Sequence, residues 1–157
     1  MFHIVLFHPE IPHNTGAAGR LAVATDARLH LIKPLGFSLD EKHVRRTGLD
    51  YWKHVDLKLW DSLDELEAAA APGARFWYLS TKATHSIWDA ALPLNDGDYF
   101  VFGPESKGLP ERWIATHPET ALRIPMPGER ARSLNLSTSI AIMLYEGLRR
   151  TLPEGQL

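Results

Sequence analysis

The amino-acid sequence predicts an α/β fold: one domain over residues 1–157, with a mostly parallel six-stranded sheet and helices on both faces. Three observations carry that prediction. Short apolar runs alternate with helical stretches along the whole chain. The run Tyr99–Phe102 is apolar at every residue, as a central strand covered on both faces requires. Two long loops rich in Gly, Pro, Ser and Asn, Phe102–Pro110 and Pro125–Ser137, each follow a predicted strand, the position where parallel sheets carry ligand sites.

In chain order, Phe2–Phe7 reads as the first strand and His8–Asn14, with two prolines, as a loop. Gly16–Thr25 reads as a helix of small and apolar residues. Arg28–Ile32 is the second strand; Asp40 then suits the N-cap of a short helix running to about Thr47. Val55–Trp60 alternates as a strand. Ser62-Leu63-Asp64-Glu65 fits a capping box opening a helix that Pro72-Gly73 stops by Ala71. Phe76–Ser80, Tyr99–Phe102 and Ala121–Ile124 are the remaining strands. Pro110 suits the first turn of a helix to about Thr116, and Leu136–Arg150 is the last helix. No linker or internal repeat interrupts this pattern.

Composition excludes several chemistries. The chain has no cysteine, which removes disulfides, thiolate metal sites and Cys nucleophiles. Its eight histidines show neither H-x-x-x-H nor H-E-x-x-H spacing, so no metal is expected. No apolar run is long enough to span a membrane, and Met1-Phe2-His3 lacks the basic start of a signal peptide; the expectation is a cytoplasmic protein. The net charge of −2 does not announce nucleic acid, yet local basic clusters at Lys42, Arg45 and Arg46, at Lys107, and at Arg130 and Arg132 suit phosphates as well as ordinary solvation.

Three loops carry the candidate site. In Asn14-Thr15-Gly16-Ala17-Ala18-Gly19-Arg20, glycines and a helix start fit either an anion site or a capped, closely packed helix; neither the dinucleotide fingerprint nor a Walker loop is present. In Gly103–Pro110, Gly103 permits positive φ or close ligand approach, while Glu105 and Lys107 form either site groups or a surface ion pair. In Pro125–Ser137, Ser133 and Asn135 suit capping of the last helix, which is compatible with lining a site. Tyr51, Trp52 and Trp88 offer stacking surfaces for bases, although large aromatics more often serve core or interface.

Together, these three loops resemble the three signature motifs of the SPOUT class of RNA methyltransferases. Asn14-Thr15-Gly16 with Arg20 resembles the first motif, Phe102–Pro110 the second, and Ile124-Pro125-Met126 with Arg132–Ser137 and Tyr145-Glu146 the third. Within the class, Pro9–Pro12, Arg45–Tyr51 and Ser80-Thr81-Lys82 are similar to the small stand-alone enzymes that methylate the ribose 2′-oxygen of the tRNA wobble nucleotide, cytidine or uridine 34. Ala17-Ala18-Gly19 departs from the Asn and larger apolar residues usual there.

The resemblance implies a C-terminal trefoil knot, a homodimer with active sites at the subunit interface, and S-adenosyl-L-methionine as methyl donor, contacted at Leu79, Gly103, Ile124 and Ser133. It implies catalytic-site roles for Asn14, Arg20, Glu105, Ser133 and Asn135, with the anticodon stem-loop of tRNA as substrate. Arg45, Arg46, Lys82 and Arg132 are the candidate RNA-phosphate contacts. Because a guanidinium is an awkward base, Arg20 is expected to bridge a phosphate and the 2′-oxygen rather than take the proton itself. Two alternatives stay open: 2′-O-methylation of another tRNA position or of rRNA, and a knotted RNA-binding or ribosome-assembly factor without turnover.

Overall fold

The computed structural model of the chain describes residues 1–40, 42, 44 and 49–156. Among these, the strands are β1 (His3–Phe7), β2 (Arg28–Ile32), β3 (Leu57–Trp60), β4 (Phe76–Leu79), β5 (His85–Ser86), β6 (Tyr99–Phe102) and β7 (Ala121–Arg123). The α-helices with described bounds are α1 (Pro12–Thr25), α2 (Leu63–Ala69), α3 (Glu111–Thr116) and α4 (Leu136–Thr151), and a 3₁₀ helix spans Leu49–His54. The strands form one sheet in the order β3-β2-β1-β6-β4-β7-β5, parallel at every pairing.

The described sheet therefore has seven strands, not the six expected. The extra one, β5, is two residues long and carries a polar His-Ser pair, too short and too polar to give an alternating signal. The sequence assigned no element between Ser80 and Tyr99; β5 is held there by its register with Leu122 and Arg123 of β7.

Alternation along the buried strands divides the core. Ile4, Leu6, Trp77, Leu79, Phe100 and Phe102 face α1 and α4, while Val5, Tyr78, Tyr99 and Val101 face α2 and α3. Tyr99–Phe102, between β1 and β4, is buried at all four residues, as its composition required. Gly147 brings α4 close to the sheet: a Cβ there would stand 3.0 Å from both the Phe2 and Phe100 rings. Arg150 ties the end of α4 to the segment after β5, donating to the carbonyls of Ile87 (2.9 Å) and Leu92 (3.3 Å) while Glu146 accepts from its Nε at 2.6 Å.

Several boundaries differ from expectation for local reasons. α1 starts at Pro12 rather than Gly16, because proline's fixed φ suits the first helical turn; the expected loop His8–Asn14 is shortened accordingly. β3 starts at Leu57 rather than Val55, whose N–H is taken by Trp52 O at the end of the 3₁₀ helix. Ser62 does cap α2, accepting from Glu65 N–H at 3.2 Å, but the Glu65 carboxylate reaches back to Asp61 N–H (3.2 Å) rather than to Ser62. The helix expected from Asp40 to about Thr47 lies largely outside the described residues.

Candidate active site

The carboxyl ends of β4, β6 and β7 open into a cavity of about 490 Å³, within the roughly 300–1,000 Å³ typical of small-molecule sites. Each of these strands delivers one expected cofactor contact to its wall: Leu79 ends β4, Gly103 follows β6 and Ile124 follows β7. Ser133 joins them from the loop before α4. Asn14, Glu105, Asn135, Lys82 and Arg132 also line the cavity. Residues far apart in the chain converge because parallel strands all finish on one side of the sheet.

Of the two readings of Gly103, positive φ is corrected. Its φ is not positive; instead, a Cβ there would lie 2.3 Å from Gly108 C and from Leu109 N. The loop closes on itself, with Gly108 N–H donating to Pro104 O at 2.8 Å, and Gly103 is the residue over which it closes. Positive φ falls at Gly108 (67°).

Asn135 both caps α4 and lines the cavity. Its Oδ1 accepts from Ser137 N–H (2.9 Å), Thr138 N–H (3.3 Å) and Ser137 Oγ (2.6 Å), while its Nδ2 donates to Asn14 Oδ1 at 3.2 Å. One side chain thus starts α4 and fixes the amide of Asn14, which is 5% exposed in the first turn of α1. Ser133, expected to share the capping, lies on the cavity wall and takes no part in it.

The N-terminus of α1, read in the sequence as a possible anion site, already holds an anion of the chain. The Glu105 carboxylate accepts from Glu10 N–H (3.1 Å to each oxygen) and from the N–H of Ile11, the N-cap, so the amides at and just before the helix start are satisfied and the charge matches the sign of its dipole. Glu10 answers in kind: its Oε1 accepts from Ser106 N–H (3.0 Å) and Ser106 Oγ (2.7 Å), hydrogen bonds that, with Lys107 nearby, hold its carboxyl below the usual range. The sequence named both segments but assigned Glu10 and Ser106 no role; an acid beside a helix start is too common a signal to reveal a partner about 95 residues away.

Arg20 is not among the residues lining the cavity. It is exposed, and its guanidinium lies over the Tyr51 ring, 5.2 Å from the centroid. The cause is helical geometry: six residues beyond Asn14 is about 120° around the helix, so the two cannot share a face. Gly19 admits the neighbouring Trp52 ring, whose nearest atom would lie 2.7 Å from a Cβ, so the aromatic pair Tyr51–Trp52 serves packing on one ring and stacking with Arg20 on the other. Trp88, the other candidate stacking surface, is 68% exposed. Arg45 and Arg46 lie outside the described residues. No group of three or more His, Asp or Glu among the described residues is arranged to hold a metal ion, and no described helix is long and apolar enough to cross a membrane.

The cavity is mixed in character. Leu79, Phe102, Leu109, Ile124, Met126 and Leu134 give it apolar walls, and Ser80, Thr81, Ser133, Asn135 and Ser139 supply hydroxyl and amide groups. Met126 and Leu134 belong to the third motif but were assigned no role of their own, because apolar residues in loops carry no distinguishing pattern.

This architecture is shared with known proteins. The chain is 47% identical over 151 residues to a tRNA (cytidine(34)-2′-O)-methyltransferase of Methylovorus glucosotrophus, covering 96% of each chain. It is 46% identical over 154 residues to the enzyme of the same name from Saccharophagus degradans, again covering 96% of each. A solved structure concerned with the 2-OH methylation of C/U34 on tRNA superposes with a TM-score of 0.88 at 47% identity, covering 96% of this chain and 95% of that one. The sequence profile of the SpoU rRNA Methylase family matches residues 1–145, and the chain belongs to that family.

Proposed function

We propose that this protein is a tRNA 2′-O-ribose methyltransferase that moves a methyl group from S-adenosyl-L-methionine to the wobble nucleotide, cytidine or uridine 34, in the anticodon stem-loop. The observation that carries the reading is the convergence of Leu79, Gly103, Ile124 and Ser133 with Asn14, Glu105 and Asn135 on one cavity in a chain of this family. The names of relatives at 46–47% identity support the choice of substrate over another tRNA position or rRNA.

The cavity suits the methyl donor. Its apolar walls fit a purine ring, and its hydroxyl and amide groups fit a ribose and an amino-acid end. When bound, the donor supplies the electrophilic methyl; the residues of the chain bind, orient and polarise. Leu79, Ile124 and the backbone at Gly103 would hold the donor, and Ser133 would meet its polar part. Asn135, fixed by its bonds to Asn14 and the α4 amides, orients an acceptor or carboxylate. Alignment of oxygen, carbon and sulfur is the main requirement, and orientation supplies about 7–11 kcal/mol at best. Lys82 and Arg132 on the cavity wall take RNA phosphates, joined by Arg45 and Arg46.

Arg20 bridges a phosphate and the 2′-oxygen, and the proton leaves through that phosphate or water. Its position outside the cavity of its own chain supports a homodimer in which the sites lie at the interface and the arginine of one subunit serves its partner. A trefoil knot formed by the segments around Gly103–Pro110 and Pro125–Ser137, and a cytoplasmic location, belong to the same reading.

The test is transfer of labelled methyl to total tRNA followed by nucleoside mapping. Label is expected as 2′-O-methyl at nucleotide 34; label confined to rRNA overturns the reading. Arg20→Ala is expected to abolish turnover while donor affinity, followed by calorimetry, stays within a few-fold; loss of donor binding contradicts the bridging role.

A further inference from the structure

We propose that Glu10 is a positioning residue for methyl transfer, holding the Gly103–Pro110 wall of the cavity in register with the helix that carries Asn14. The role rests on the function proposed above. Three features of the chain around Glu10 support it. First, His8, the residue after β1, has a φ of 49°, a left-handed turn that carries Pro9 and Glu10 across the carboxyl edge of the sheet. Second, Glu10 is backed by Gly36: the Gly36 N–H donates to Pro9 O at 2.9 Å, and a Cβ at position 36 would stand 2.9 Å from Glu10 Cα. The Gly36 backbone thus lies close against that of Glu10.

Third, the side chain reaches the opposite loop and the contact is reciprocated. Glu10 Oε1 accepts from the backbone N–H and the hydroxyl of Ser106, at 3.0 and 2.7 Å. Glu105, next to Ser106, accepts from Glu10 N–H and Ile11 N–H. Each segment gives a carboxylate to the other's backbone amides. A single carboxylate contact leaves the two segments free to pivot; two offset contacts with ionised acceptors fix their relative rotation. Ile11 and Asn14 on one side, and Glu105, Ser106 and Lys107 on the other, all line the cavity, so this rotation sets the distance across it.

The clasp acts on geometry more than on stability. Glu10 and Ser106 are exposed and Glu105 is half-buried, so water replaces the lost bonds when the Glu10 side chain is removed. Transfer is far less tolerant, since a displacement of about 1 Å can cost roughly 100-fold in rate.

The test compares Glu10→Ala, Glu10→Gln and Ser106→Ala in the full chain with wild type. The measurements are single-turnover methyl transfer to tRNA, the dissociation constant for S-adenosylmethionine, and the melting temperature. In Glu10→Ala the rate is expected to fall about 10- to 100-fold with donor affinity and melting temperature little changed. Glu10→Gln is expected to regain most of the rate, because its amide oxygen still accepts from Ser106. Combining Glu10→Ala with Ser106→Ala is expected to cost no more than the larger single effect. An unchanged rate in Glu10→Ala, a parallel fall of rate, affinity and melting temperature, or a Gln variant no better than Ala overturns the proposal while leaving the proposed function standing. A wild type that transfers no methyl to tRNA overturns both.

Discussion

At the amino ends of the strands Asp98, 2% exposed, accepts from Trp77 Nε1 (2.8 Å), Asn95 N–H (2.9 Å) and Arg75 N–H (3.4 Å); at the carboxyl ends Asn14, 5% exposed, shares a single bond with Asn135 on the edge of a cavity. His3, at the start of β1, ends a relay that begins at Trp60, the last residue of β3: Trp60 Nε1 donates to His30 Nδ1 (3.0 Å), so that the proton of neutral His30 sits on Nε2 and is given to His3 Nδ1 (2.9 Å). Polar groups around Asp98 are saturated by one another and close the sheet. At the other end, polar groups are aimed at space, and loops rather than strands hold them. The contrast separates two kinds of polar group: those around Asp98 are paired with one another, as buried groups generally are, whereas those on the cavity wall face open space.

The comparison breaks most sharply at Gly103. Gly103→Ala places a methyl 2.3 Å from Gly108 C and Leu109 N, and the loop must open. Methyl transfer is expected to drop by about 100-fold or more, with weaker donor binding by calorimetry and a smaller change in the denaturation midpoint. Asp98→Ala tests the other end. It strands the Trp77 and Asn95 donors, and a loss of about 2–3 kcal/mol is expected in urea denaturation, with activity per folded molecule preserved.

Asn135→Ala lies between the two, because that residue is cap and site at once. About 1 kcal/mol of stability is expected to go with the cap, and the rate is expected to fall further than that loss explains. A variant whose activity follows stability alone contradicts the link to Asn14.

The smallest effect is one of pH, confined to the relay at His3 and His30. Burial, chiefly, lowers the His3 pKa from 6.5 to about 4 and that of His30 from 6.5 to about 3, aided by Arg28 for His3 and by His3 for His30. Both values are depressed in the folded state, so between about pH 6.5 and 4 the unfolded chain binds the extra protons. Stability is therefore full above about pH 6.5 and declines as the pH falls toward 4. Denaturation midpoints at pH 7 and pH 5 measure this, and His3→Gln is expected to narrow their difference.

Much of the fold was legible in the sequence because local patterns encode it. Tyr99–Phe102 announced a doubly covered strand, and Ser62 with Glu65 announced a helix start. β5 was not legible: two residues carry no period, and their pairing with β7 depends on a partner 37 residues away. The cavity residues were legible as motifs, and Leu79, Gly103, Ile124, Ser133, Asn14, Glu105 and Asn135 do converge. Their partners were not. Nothing in Pro125–Ser137 reveals that Asn135 meets Asn14, 121 residues earlier, or that Glu105 fills the start of α1.

The sequence by itself determined a parallel α/β sheet, the loops that carry the site, and the absence of thiol chemistry, since period, composition and turn residues are properties of neighbouring positions. Only the tertiary structure decided the strand order β3-β2-β1-β6-β4-β7-β5, the closing of the Gly103 loop on its own backbone, the clasp between Glu10 and Ser106, and the turn of Arg20 away from its own cavity toward Tyr51. The strand order, the clasp and the Arg20 stacking depend on which separate segments pack together, and the loop closure depends on backbone geometry that residue types alone do not specify.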